Sequence, residues 1–371
     1  MNQVESPSGL KGTRASAASR ALSVLEAVLA PVVYPSTAES FLQEIFPLLS
    51  RTEVRAEVVG VRRETSDTTT LVLRPNALFQ GHRAGQWVTL TAEVAGVHRT
   101  RCFSISSAPS DGKKTIEVTV KARPGGAVTP ALVWQLKPGA IVTLSQAQGD
   151  FTLPEVAPNR PLFVSGGSGI TPVMSMLREL ALSGRSTGAT FVYYARSRAD
   201  VVFARELEEH GLFSGVEMLV FTDEERGGAP DVSADLAAHV PDFAERETFA
   251  CGPPGMLTTL GSLYGARGAS ERLHTEAFSA KVAASTSGED VEVRFARAEK
   301  SAKGGRTLLA MAESAGLTPK SGCRMGICHT CACKKVSGVT RDVRTGELST
   351  DENVEIRICV SEPVTNVTLD L

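Results

Sequence analysis

Four cysteines crowd between Cys323 and Cys333 in a chain that holds seven in all. No other feature restricts the fold as strongly. Cys323-Arg-Met-Gly-Ile-Cys328-His-Thr-Cys331 runs C-x4-C-x2-C, and Cys359 follows downstream. Thiolates are soft, charged donors. Three in one tight loop and a fourth from another element match the spacing that grips a two-iron, two-sulfide cluster. Ser321, Gly322 and Gly326 are small enough for backbone N–H groups to turn toward the sulfides. A zinc site would favour two short Cys/His pairs, which this spacing does not match. A Rieske centre needs two histidines, and His329 is the only one in this region. His329 is therefore expected to face solvent or to pack. Cys333 falls outside the ligand spacing and reads as a packed free thiol. An odd cysteine total with this crowding is not a secreted disulfide framework. It points to a reducing compartment, so the expected location is cytoplasmic.

The rest of the composition is ordinary. The 371 residues are 42% hydrophobic and 22% charged, which supports two or three domains with sizeable cores. A net charge of −2 excludes the strong basic bias of a nucleic-acid binder. No stretch reaches the roughly 18 apolar residues of a membrane span. Ala21 to Tyr34 comes nearest, but Ser23, Glu26 and Pro31 interrupt it, and no small-residue cleavage site suggests a signal peptide. Leu22, Leu25, Leu29 and Val32 instead share a face of an amphipathic helix. That helix either packs on the body or gives residues 20–50 a peripheral contact with a partner or the inner face of a membrane.

Along the chain, residues 1–52 read as a partly helical extension. Residues 53–156 carry short alternating runs at Val54–Val61, Thr68–Leu73, Gln86–Ala92, Arg101–Ser104, Thr115–Lys121 and Ile141–Ser145. Turn signals such as Pro124-Gly125-Gly126 and Pro138-Gly139 separate several of them, which predicts an antiparallel β-barrel. Residues 157–280 alternate strand and helix and predict an α/β domain with a parallel sheet. In it a helix carries Val173, Met176, Leu177 and Leu180 on one face. Residues 281–289 read as a linker, and 290–371 as a last compact unit around the cysteine loop.

Two further sites follow. In the barrel, Arg101-Cys102-Phe103-Ser104 offers a guanidinium fork for a flavin phosphate, a hydroxyl for flavin N5 and a ring to cover the cofactor. Gly125, Gly126, Val128 and Thr129 let backbone N–H groups approach a phosphate. Val118, Val120 and Lys121 of the preceding strand complete the cofactor-facing set. In the α/β domain, Gly166-Gly167-Ser168-Gly169-Ile-Thr171-Pro172 follows a strand and opens a helix. Thr171 suits an N-cap, Pro172 the first turn, and the helix N-terminus a pyrophosphate. Arg196, Ser197 and Arg198 fit a 2′-phosphate, favouring NADPH over NADH. Cys251-Gly252-Pro253-Pro-Gly-Met256 ends a later strand on the same side, where Cys251 is placed to pack on the nicotinamide.

These motifs in this order resemble the ferredoxin–NADP⁺ reductase superfamily, in the branch with a C-terminal plant-type ferredoxin. More narrowly, Gly-Val-Arg-Arg-Glu-Thr (60–65), Gly-Ser-Gly-Ile-Thr-Pro-Val-Met-Ser-Met-Leu-Arg (167–178) and Gly-Cys-Arg-Met-Gly-Ile-Cys (322–328) are similar to bacterial NADPH-dependent partners of acyl-CoA desaturases. The resemblance implies a β-grasp fold for the last domain. It implies cluster ligation by Cys323, Cys328, Cys331 and Cys359, and FAD in preference to FMN. It also implies that Glu276 and Phe278 lie near the flavin ring, beside Ser104 and Cys251. Phe103 stands where Tyr is common. Electrons would pass from NADPH through flavin and cluster to an oxygenase or desaturase; a Rieske dioxygenase, alkane hydroxylase or P450 system is the alternative acceptor. A redox-sensing module without sustained turnover is the alternative of another class.

Overall fold

The computed structural model describes residues 43, 45–184, 188–209, 213–278, 291–304, 307–322, 324, 326 and 329–371. The expected helix around Leu22–Val32 and the linker at 281–289 lie outside them. Of the ligand set, Cys323 and Cys328 also lie outside.

Six strands form the first unit: β1 (Val54–Thr65), β2 (Thr68–Pro75), β3 (Trp87–Val94), β4 (Val97–Ser104), β5 (Ile116–Lys121) and β6 (Ile141–Leu144). They pair antiparallel in the order β4-β3-β6-β1-β2-β5. A bridge between Ile105 and Val118 joins the two ends, closing the barrel. Alternation puts Val58, Leu71, Leu73, Val88, Leu90 and Val118 inside, all fully buried. The strand expected at Arg101 begins earlier, at Val97. Its first half is exposed and polar, so it carries no alternation to read. Ala95 and Gly96, both at positive φ, turn it back from β3. Helix α1 (Val128–Trp134) follows the Gly125-Gly126 turn.

The second unit is a five-stranded parallel sheet of β7 (Leu162–Gly166), β8 (Ala189–Ala195), β9 (Val216–Thr222), β10 (Thr248–Cys251) and β11 (Leu273–Glu276). Its order is β11-β10-β7-β8-β9. β7, β8 and β10 are buried along their whole length, as expected where helices cover both faces. Phe163, Phe191 and Tyr193 pack on one face beside α2 (Ile170–Leu182). Val164, Val192 and Tyr194 pack on the other, beside α5 (Val232–His239) and α6 (Pro254–Ala266). Short helices α3 (Ala204–Glu208) and α4 (Asp223–Arg226) fill the connections. The sequence reading stopped at α6 and missed β11, because Leu-His-Thr-Glu has no apolar pattern. It also gave α2 one apolar face. Every residue from Ile170 to Arg178 is buried, because the other side of α2 packs on the barrel.

The third unit has a mixed sheet of β12 (Glu292–Phe295), β13 (Lys300–Lys303), β14 (Ala332–Ser337), β17 (Val354–Arg357) and β19 (Val367–Leu369), ordered β13-β12-β19-β14-β17. Helix α7 (Leu308–Ser314), capped by Thr307, buries Leu308, Leu309, Met311 and Ala312 against it. A small sheet of β15 (Thr340–Asp342), β16 (Leu348–Ser349) and β18 (Ser361–Pro363) flanks it. This is a β-grasp arrangement.

Candidate functional site

From β7 the chain runs outward through β8 and β9, then returns to lay β10 on the other side of β7. The loops after β7 and β10 therefore meet at a topological switch point, where ligands of such sheets bind. They approach so closely that only glycine fits. A Cβ on Gly169 would lie 2.0 Å from the Cys251 carbonyl oxygen, and one on Gly166 would lie 2.6 Å from Pro253. A Cβ on Gly252 would lie 2.9 Å from the Gly166 nitrogen. Gly167, at φ +54, faces open space. The loop makes one 3₁₀ turn and then enters α2, whose N-cap is Gly169. Thr171 is thus not the cap. It sits inside the first turn and donates its hydroxyl to the Ser168 carbonyl at 3.1 Å. Pro172 lies in the first turn as expected. A cleft of about 640 Å³ opens here, lined by both loops and by Lys121, Tyr194, Arg196, Asp200 and Phe278.

The expected 2′-phosphate group divides. Arg196 lines the cleft, held by Asp200 at 2.8 Å and lying 3.7 Å from Asp67 of the barrel. Lys121, from the end of β5, approaches the same two carboxylates at 3.2 and 3.8 Å. Ser197 donates to Asp200 at 3.0 Å. Arg198 instead pairs with Glu225 at 2.7 Å and is not among the lining residues. Arg196 is 67% exposed, so its pairs are weak and exchangeable for an incoming phosphate. The two aspartates carried no sequence motif.

At the barrel, β4 ends on Ser104. Its Oγ is buried and has no hydrogen-bond partner among the described residues. Glu276 Oε2 is buried in the same condition. Burial pushes the Glu276 carboxyl up to about 8. Cys251, directly opposite Glu276 in the β10–β11 register, is fully buried. Burial, then the neighbouring Glu276, raises its thiol well above the ordinary range. Such a thiol is better suited to packing than to nucleophilic attack. Buried polar oxygens are seldom left without partners, and two at predicted flavin contacts fit a hydrogen-bonding ring system. Arg101 is half-buried and donates to the Thr100 carbonyl at 2.7 Å. Burial, then Arg324 and Arg99, lowers its affinity for a proton, a cationic setting suited to a phosphate. Gly125, at φ +71, faces open space, while the Arg123 N–H donates to Thr129 Oγ1 at 2.9 Å. Gly126 closes the turn through its N–H. Val118, Val120 and Val128 are buried in the barrel core. Val118 and Val120 point inward from β5, and Val128 does so from the first turn of α1. Cys102 is half-buried, and Phe103 packs at the edge of the same core.

In the third unit Cys331 and Cys359 are both buried. Gly326, at φ +72, passes so close to Val360 that a Cβ would lie 2.6 Å from its Cγ2. Arg357 donates to the Gly326 carbonyl at 2.6 Å and lies 3.5 Å from Asp342. The cluster loop is clamped at its middle, a bracing no spacing announced. Buried thiols beside such a loop fit a two-iron cluster. His329 is exposed. Cys333 is a buried free thiol, pushed up to about 11 chiefly by burial.

Comparison with known proteins agrees along the chain. An oxidoreductase FAD-binding domain matches residues 55–153, an oxidoreductase NAD-binding domain 163–261 and a 2Fe-2S iron-sulfur cluster binding domain 294–364. An NADPH oxidoreductase of Mycobacterium tuberculosis is 37% identical over 352 residues, spanning 94% of this chain and 92% of its own. The glycine betaine monooxygenase reductase subunit of Pseudomonas aeruginosa is 32% identical over 348 residues, covering 84% and 93%. Phthalate dioxygenase reductase shares the fold at a TM-score of 0.61 and 23% identity, over 86% of this chain and 98% of that one. The chain therefore belongs to the ferredoxin reductase-like oxidoreductases that carry FAD-binding, NAD-binding and 2Fe-2S domains in one polypeptide.

Proposed function

We propose that this protein draws electrons from NADPH and delivers them, through FAD and a [2Fe–2S] cluster, to a separate oxidative enzyme. The observation that carries the reading is the switch-point cleft, beside which the β10–β11 pairing sets Cys251 against Glu276, whose Oε2 has no partner among the described residues. When bound, FAD accepts hydride and gives up single electrons, which is the conversion a one-electron cluster requires. Gly167–Gly169 and the α2 N-terminus hold the pyrophosphate. Arg196 and Lys121 exchange their aspartate partners for the 2′-phosphate, which favours NADPH over NADH. Cys251 and Phe278 bound the nicotinamide. Ser104 and the neutral Glu276 carboxyl hydrogen-bond the flavin, and Arg101 with the Gly125-Gly126 turn holds its phosphates. Cys323, Cys328, Cys331 and Cys359 bind the cluster.

The acceptor belongs to an oxygenase or desaturase system. Relatives named as a glycine betaine monooxygenase reductase subunit and a propane 2-monooxygenase reductase component support the first. The runs at 60–65, 167–178 and 322–328 support a membrane di-iron acyl desaturase. No described helix is long and apolar enough to cross a membrane; with a membrane acceptor, residues 20–50 would supply a peripheral contact. Anaerobic NADPH titration with low-temperature EPR tests the path. A rhombic reduced-cluster signal growing with NADPH is expected. Flavin bleaching without that signal, even after dithionite, would reduce the protein to a plain flavin reductase. Slow NADPH consumption with every acceptor would leave a redox sensor.

A further inference from the structure

Ser175, Arg178 and Glu179 stand at i, i+3 and i+4 on α2 and share one face. This is the helix that starts at the nucleotide loop, and that face meets the barrel segment following Ser104. Ser175 donates to the Ser107 carbonyl at 2.6 Å. Arg178 Nη1 donates to the Ser106 carbonyl at 2.7 Å and to Glu117 of β5 at 3.0 Å. Arg178 Nε bonds Glu206 at 2.7 Å, and Nη2 bonds the same carboxylate. Glu179 accepts from the Ser110 N–H at 3.2 Å. Glu117 is gripped from its other side by Arg62 of β1. The two units close tightly around these bonds: a Cβ on Gly85 of the barrel would lie 2.5 Å from Met176 Cε of α2.

The Arg178 side chain is only 10% exposed. Burial works against its charge, but the bond to Glu206 and the charges of Glu206 and Glu117 outweigh that and keep it protonated. Burying a guanidinium at a boundary between units is a poor way to gain stability, since apolar packing serves as well. What a five-donor fork adds is direction. Here it ties a barrel carbonyl, two residues past Ser104, to a helix whose first turn is the nucleotide loop. Hydride transfer needs its reacting atoms about 3–3.5 Å apart, and the two cofactor sites belong to different units.

We propose that Arg178 is a positioning residue of hydride transfer, fixing the nicotinamide site against the flavin site through the Ser106 carbonyl, Glu117 and Glu206. The inference rests on the proposed placement of NADPH and FAD. Its test is stopped-flow flavin reduction by NADPH in the full-length, cofactor-loaded R178K and S175A proteins. The long-wavelength nicotinamide–flavin charge-transfer band and NADP⁺ affinity are measured alongside. R178K keeps the charge but loses the fork. It is expected to slow flavin reduction about tenfold to a hundredfold and to shrink the charge-transfer band, with FAD content and NADP⁺ affinity unchanged. S175A loses one hydrogen bond and is expected to fall by less. A wild-type rate and band in R178K would show that Arg178 only holds the units together, overturning the proposal. If R178K does not fold, S175A and E206Q decide, and unchanged rates in both overturn it. A wild-type flavin that NADPH does not reduce overturns the functional reading itself.

Discussion

Glu276 shows how one buried atom shapes chemistry. Its carboxyl, pushed up to about 8 by burial, is protonated at neutral pH and can donate a hydrogen bond. Above that value it becomes a carboxylate and can only accept. Flavin reduction by NADPH is therefore expected to slow as pH rises through about 8, and E276Q, which always donates, to flatten that limb. Stopped-flow rates across the range check this. The linkage to folding has a definite sign. Between the ordinary value of 4.5 and about 8 the folded protein holds a proton that the unfolded chain releases. Glu276 therefore contributes stability that falls with rising pH across that window, and E276Q removes that contribution; denaturant unfolding of both proteins at its two ends measures the difference. Gly169 makes a steric case. With the Cys251 carbonyl oxygen 2.0 Å from any added Cβ, G169A must move backbone. It is expected to cost about 1–3 kcal/mol of stability and to abolish NADP⁺ binding by calorimetry. The glycine was legible in the sequence as a loop signal; the atom that demands it was not.

Among the elements, the two loops at the switch point and the cluster loop do most of the selecting. Arg196 leaves β8 toward the cleft, whereas Arg198, two residues on, turns to α4. R196Q is expected to raise the KM for NADPH several-fold while leaving that for NADH nearly unchanged; steady-state kinetics with both nucleotides distinguish them. In the cluster loop, G326A would put a methyl group into Val360 at a backbone angle that only glycine adopts freely. That variant is expected to purify without its cluster, read as lost visible absorbance and iron content. Apolar alternation revealed β1, β2 and β5, and the short buried run revealed β7. β11 and the first half of β4 escaped because exposed or edge strands need no apolar pattern. β11 nonetheless carries Glu276, whereas Arg101 lies in the second half of β4, where the sequence already shows a strand.

At the scale of the molecule, the proposed flavin and nucleotide sites draw on residues between Arg101 and Phe278, and the proposed cluster site on those after 290. C359S is accordingly expected to lose the cluster and cytochrome c reduction while retaining NADPH–ferricyanide turnover at the flavin. Loss of both activities would mean that the third unit also holds the flavin site together. The joint between barrel and parallel sheet combines apolar packing of Ala84 and Leu153 against α2 with hydrogen bonds from Arg178, Ser175 and Glu179, and on the proposal above those bonds align the flavin and nucleotide sites.

Local chemistry determined much of this protein from the sequence alone. Thiol spacing specified the cluster, glycines before a helix specified the nucleotide loop, and strand alternation specified a barrel. These signals are short-range, so one chain segment carries each of them whole. Tertiary structure decided what depends on distant segments meeting. It left Ser104 and Glu276 with unpartnered buried oxygens, turned Val118, Val120 and Val128 into core, and set Asp67 and Asp200 against Arg196. It also aimed Arg178 at the carbonyl of another unit. Burial and charge pairing are properties of neighbours in space, and spacing along the chain does not encode them.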